Sequence, residues 1–122
     1  MVASPHWVRL KAEGELPLRR GAWYRVVTLA SQNVTVEIQR KPVAVPRVLL
    51  EILEAPPQRW TVVRRPAQAV RLPASWGDAY GVCPGCRDRA SLRGSPATLR
   101  CPRCNGLFPV AWEEAYLGRK SN

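Results

Sequence analysis

Between Trp7 and Val63 the chain is written in short runs where apolar and polar positions alternate, broken every few residues by Pro, Gly or Asn. The clearest run is Val34-Thr35-Val36-Glu37-Ile38. Its period of two places Val34, Val36 and Ile38 on one face of a strand, with Thr35 and Glu37 on the other. Trp7-Val8-Arg9-Leu10-Lys11 alternates apolar with basic. Leu18 to Leu29 is rich in β-branched and aromatic residues, and Ser31-Gln32-Asn33 makes a turn. After the turn at Lys41-Pro42 come a brief strand at Val43-Ala44-Val45, a helical turn opened by Pro46, and a last strand at Arg59-Trp60-Thr61-Val62-Val63 beyond Pro56-Pro57. Short strands at regular spacing with one helical turn predict a mainly β fold built on a small barrel. Its expected core includes Val26, Val34, Val36, Ile38, Val45, Leu49 and Val62.

The pattern changes after residue 65. Pro66 and Pro73-Ala74-Ser75 break the chain, and Trp76-Gly77-Asp78-Ala79-Tyr80-Gly81 leads to the first of two matched pairs, Cys83-Pro84-Gly85-Cys86 and Cys101-Pro102-Arg103-Cys104. These are all the cysteines of the chain. A Cys-x-x-Cys turn aims two thiolates at one centre, and a second turn across a short hairpin completes a tetrahedron. Zinc held by Cys83, Cys86, Cys101 and Cys104 is the expected occupant, with iron as the alternative, because a sulfur-only tetrahedral site suits either metal. Disulfides would need an oxidising compartment, and Met1 to His6 has neither the basic start nor the apolar core of a signal peptide. A redox site would want a single pair opening a helix. In the same segment Phe108, Val110 and Trp112 alternate as one face of a third strand, and Glu113 to Leu117 reads as a short helix stopped by Gly118.

Two resemblances follow from these strings. Leu16-Pro17-Leu18-Arg19-Arg20-Gly21, Tyr24-Arg25-Val26, the strand Val34 to Ile38, and Val43-Ala44-Val45-Pro46-Arg47-Val48-Leu49-Leu50 together resemble the diverging turn, central strand and closing 3₁₀ turn of SH3-like, or Tudor-like, barrels. The tyrosine-rich motif and peptide-binding tryptophan of signalling SH3 domains have no counterpart, so proline-peptide binding is not implied. The cysteine segment is similar to zinc ribbons, with the glycine of Cys104-Asn105-Gly106-Leu107-Phe108 one residue late and Asn105 able to take the left-handed conformation in its stead. Rubredoxins have a wider gap between pairs and a glycine after each second cysteine, where this chain has Arg87 and Asn105. The expected organisation is an SH3-like barrel over 1–65, a packed linker over 66–82 and a zinc ribbon over 83–122.

Charge narrows the function. The net charge is +10, and sixteen of the nineteen basic residues are Arg. Residues 1–72 carry 12 Lys+Arg against 5 Asp+Glu, which places +7 on the expected barrel and join and leaves +3 for the rest. Such a field favours polyanions. Arg19-Arg20, Arg40-Lys41 and Arg64-Arg65 are the candidate contacts with RNA or DNA backbone, with Trp23 or Trp60 as a stacking surface or, alternatively, as core. Arg87, Arg89, Arg93, Arg100 and Arg103 are a second basic set. Catalysis has little footing: His6 is the one histidine, no nucleophile–base pair or phosphate loop is present, and four thiolates close the metal's coordination. No small-molecule substrate is expected. No apolar run reaches the ~18 residues of a membrane span, so a cytoplasmic protein is expected. Two functions remain: a non-catalytic nucleic-acid-binding or accessory protein, or an interaction subunit docking on a larger protein assembly.

Overall fold

A computed structural model describes residues 5–11, 17–65, 72–114 and 116. It is a mainly β protein made of two compact units, 1–57 and 58–122.

The first unit is one antiparallel sheet. Its strands are β1 (Trp7–Leu10), β2 (Tyr24–Leu29), β3 (Asn33–Ile38), β4 (Lys41–Pro46) and β5 (Leu50–Leu53), in the order β4-β3-β2-β1-β5. The register of β3 is the one its alternation demands. Val34 and Val36 are fully buried, Ile38 is half-buried, and Glu37 is exposed. The β3–β4 hairpin turns on Gln39 and Arg40, both at positive φ (51° and 66°), the backbone of a two-residue turn that matches strand twist. Ladder bonds in an antiparallel pair fall on alternate residues, beginning here with Ile38 and Lys41. Pro42 and Pro46 therefore fall at outward-facing positions of edge strand β4, where they remove N–H groups that another strand could capture.

The helical turn expected after Pro46 is a 3₁₀ turn at Arg47–Leu49. The strand that follows it is a correction. Leu50–Leu53 forms β5 and pairs along the whole length of β1, from Trp7 with Leu53 to Leu10 with Leu50. The expected last strand near Val63 takes no part in this sheet. Residues Val8, Leu10, Val34, Val36, Val45 and Leu50 are the buried centre, whereas Val26 and Leu49 are only half-buried. Arg9 departs from the expected apolar–basic alternation. It is 2% exposed, with its guanidinium 4.4 Å above the Trp23 ring and paired with Glu51.

The second unit begins at Gln58, inside the span 1–65 expected for the barrel. β6 (Thr61–Arg64) pairs antiparallel with β7 (Ala79–Val82), and β7 with β8 (Arg89–Ser91), giving a sheet in the order β6-β7-β8. The last four residues of the expected linker are thus a sheet strand, with Tyr80 buried, its residues 66–71 lie outside the described residues, and Val62 belongs here rather than in the first core. A 3₁₀ turn at Ala74–Trp76 precedes β7. The hairpin of β9 (Thr98–Arg100) and β10 (Leu107–Pro109) forms a second sheet. Trp60 joins the two. Its amide donates to the Pro109 carbonyl (2.9 Å) and its own carbonyl accepts from Ala111 (3.1 Å), a parallel bridge opposite Val110. Of the expected C-terminal helix, Glu113 and Glu114 are described as a turn and its end, and Ala115 and Leu117 lie outside the described residues.

Candidate metal centre

Two nearly identical turns build the site. In the first, the Arg87 amide donates to the Cys83 carbonyl (3.0 Å) and the Cys83 amide to the Asp88 carbonyl (2.8 Å). In the second, Asn105 donates to Cys101 (2.9 Å) and Cys101 to Gly106 (2.8 Å). The residue after each second cysteine takes the left-handed conformation, Arg87 at φ 69° and Asn105 at φ 67°. Asn105 does what its side chain suits; Arg87 is the less favoured choice at such a position. The repetition is a local consequence of Cys-Pro-x-Cys: the proline starts the turn and the following amides are free to fold back on sulfur. Gly85 donates to Cys83 Sγ (3.3 Å), and Arg103 and Cys104 to Cys101 Sγ (3.3 and 3.4 Å).

The four Sγ atoms lie within 4.8 Å of one another, with Cys83 to Cys104 at 3.6 Å and Cys86 to Cys101 at 3.5 Å. A tetrahedron with metal–sulfur bonds of about 2.3 Å has edges of about 3.8 Å, so the donor set fits one metal ion. All four cysteines are free thiols, far beyond disulfide bonding distance. Burial pushes the Cys83 thiol well up, although the Cys86 and Gly85 amides pull the other way, and burial likewise raises Cys86. Cys101 goes down. Burial acts to raise it, but the amides of Cys104 and Arg103 and the thiols of Cys86 and Cys104 outweigh that and lower it to about 7.

The cluster rests on a small core whose one tryptophan, Trp60, was expected in the last strand of the barrel. Trp60, fully buried, packs with Cys83, Ala90, Leu92, Cys101 and Val110, and its Nε1 donates to the Leu99 carbonyl (2.8 Å). No local signal links Trp60 to cysteines that begin 23 positions later. Phe108 packs against the same core. A Cβ on Gly106 would stand 2.6 and 2.9 Å from two Phe108 ring carbons and 3.5 Å from Cys104 Sγ, so the glycine is what lets the ring reach the cysteine turn.

The six basic candidates divide between the units. Arg19 and Arg20 precede β2, while Arg40 and Lys41 lie on the β3–β4 turn. Arg64 ends β6 in the metal-centre unit and is exposed. Arg65, in the same unit, is committed to structure: Nε donates to the Gly77 carbonyl (2.7 Å) and its two terminal nitrogens to Pro73 (2.6 Å) and Leu72 (3.3 Å). They are not one set on a barrel. The boundary after Pro57 also reverses the charge assignment. Residues 1–57 carry 8 Lys+Arg against 5 Asp+Glu, or +3, and residues 58–122 carry 11 against 4, or +7.

Trp23 is buried over Arg9 and Trp60 is core, so neither offers an open stacking face. Phe108 and Val110 do not share a strand face with Trp112. β10 ends at Pro109, Val110 is buried, and Trp112 is 41% exposed. No helix among the described residues is long and apolar enough to cross a membrane. Comparison with known proteins finds no matching family model, no matching curated protein and no matching solved structure.

Proposed function

We propose that this chain is a non-catalytic nucleic-acid-binding module: an SH3-like barrel followed by a zinc ribbon whose metal shapes a basic surface. The observation that carries the reading is the +7 of residues 58–122, folded around four thiolates. With zinc and four thiolates together contributing −2, this unit still keeps about +5. Arg93, Arg100 and Arg103 are exposed on it. Sulfur-only coordination in two Cys-Pro-x-Cys turns favours zinc in a structural role, since a closed tetrahedron has no open position for substrate. The strand order β4-β3-β2-β1-β5 and the 3₁₀ turn ahead of β5 support the SH3-like description of the first unit. Fold alone does not assign a function, so the nucleic-acid reading rests on charge and site.

A second reading has its own observation. Val27 and Val48, in the first unit, are 61% and 74% exposed, apolar surface of a kind that docks on proteins. Salt separates the two. Phosphate contacts weaken steeply as salt rises, and apolar docking does not. Retention of mixed RNA and DNA at low salt, lost in proportion to salt, is the expected result; a zinc-loaded protein that retains neither would transfer the assignment to protein docking.

A further inference from the structure

We infer that the Trp112 indole is a stacking platform for a base of single-stranded nucleic acid, with Arg93 and Arg100 supplying phosphate contacts beside it. This rests on the nucleic-acid reading above and gives it a site and a strand preference.

Trp112 is held, yet open. Its Nε1 donates to the Pro96 carbonyl (2.7 Å), its amide donates to the Val110 carbonyl (2.9 Å), and the preceding Ala111 is buried and bonded to Trp60. The polar edge of the indole is already satisfied inside the unit, while the residue as a whole stays 41% exposed. A rigid aromatic face gives contact area at little cost in conformational entropy, and every base has a π-face to lay on it.

Two exposed arginines, Arg93 and Arg100, flank in sequence the segment that holds the indole. Pro96 lies in the loop that Arg93 begins, so chain length alone keeps the two Cα atoms within about 10 Å. On the adjoining hairpin Leu99 and Phe108 face the metal-side core, which turns their neighbours Arg100 and Leu107, paired across the strands, toward solvent. Arg100 uses one terminal nitrogen on the Asn105 carbonyl (3.0 Å), which steadies the guanidinium and leaves donors outward. The nearest acid in sequence, Glu113, is neutralised by its ion pair with Arg59. An exposed aromatic within a unit that keeps about +5 with zinc bound selects a ligand that is flat, apolar on one face and polyanionic. Single-stranded nucleic acid fits that description; in a duplex the base faces are hidden in the stack.

The test uses the full-length, metal-loaded protein and fluorescence anisotropy of a labelled oligothymidylate of about 15 nucleotides and of a duplex of the same length, at about 50 mM salt and above. Trp112→Ala is expected to weaken single-strand binding about tenfold or more, the loss of one stacked base, while Trp112→Phe stays within about threefold. Arg93→Ala and Arg100→Ala are each expected to flatten the salt slope by about 0.7. Metal content should be unchanged in all four variants. Photocrosslinking of bromouridine-substituted oligonucleotide to the wild-type protein reads the same contact without mutation and should label the peptide that carries Trp112.

Single-strand binding that is unchanged in Trp112→Ala, a duplex bound as tightly as the single strand, or crosslinks confined to other peptides would each overturn the site while leaving the wider nucleic-acid reading intact. Wild-type protein that binds neither oligonucleotide would overturn both, and Trp112 would then be a protein-docking residue.

Discussion

Arg9 and Glu51 face each other across the β1–β5 pair and are joined by two hydrogen bonds, Nε to Oε2 at 3.0 Å and a terminal nitrogen to Oε1 at 2.8 Å. The two ends of the first unit's fold meet there, 42 positions apart in sequence. Removing one partner of a buried pair costs more than the pair contributes, because a charge stays behind in a poor solvent. Glu51 is about one-third exposed, so water recovers part of that cost. Glu51→Ala is expected to destabilise the first unit by about 2–3 kcal/mol, below the range for a fully buried pair. The double change Arg9→Met with Glu51→Leu should recover most of it. Urea unfolding followed by circular dichroism checks both; equal stability of the single and double variants would count against a cost that arises from losing the Glu51 carboxylate beside Arg9.

Metal removal should unfold more than the cysteine segment. Trp60 and β6 belong to the metal-centre unit, so Cys101→Ser or a strong chelator is expected to expose Trp60 and release β6 from β7 as well as opening the two turns. The first unit, with its own buried valines, should persist. Amide hydrogen exchange reads this directly: protection lost from Trp60 through Ala111 and kept at Val34–Val36. Elemental analysis is expected to return one zinc per chain, with colour from iron as the contrary outcome.

Acid should compete with the metal. The ion binds thiolates and its release lets protons on, so affinity rises with pH. Because metal removal opens the two turns, the burial and amide contacts that shift Cys83, Cys86 and Cys101 are lost with it, and the metal-free thiols return to the ordinary value of about 8.5. Loading at about pH 6 should therefore release about four protons and loading at about pH 9 clearly fewer. Calorimetric titration in buffers of different ionisation enthalpy gives that count; equal release at the two pH values would contradict binding as thiolates.

The two glycines of the cysteine turns should differ. Gly106→Ala puts a methyl 2.6 Å from the Phe108 ring, which must swing off the cluster, at an expected cost of about 1–2 kcal/mol and with faster loss of metal to a chelator. Gly85→Ala meets nothing closer than 3.5 Å and is expected to be nearly neutral. Chelator-driven metal loss from both variants, followed by stopped flow, makes the comparison.

The clustering of the four cysteines and the β3 register were legible in the chain because both rest on local signals. Cys-Pro-x-Cys shapes its own turn, and an alternation of five residues names its buried face without reference to the rest of the molecule. Asn105 at positive φ could be anticipated for the same reason, from its own side chain. The Pro46 turn was legible too, as proline sets one dihedral in advance.

Only the tertiary structure decided which strand pairs with which. The runs Leu50–Leu53 and Thr61–Arg64 are both short and apolar, and nothing in either names its partner; β1 took the first and β7 the second. That choice of non-local hydrogen bonds set the unit boundary at Pro57, drew Trp60 under the cysteines, and moved the larger positive charge onto the metal-centre unit. Burial of Arg9 and exposure of Trp112 follow from it as well. Periodicity states that a residue has a face, but what lies against that face depends on segments far along the chain.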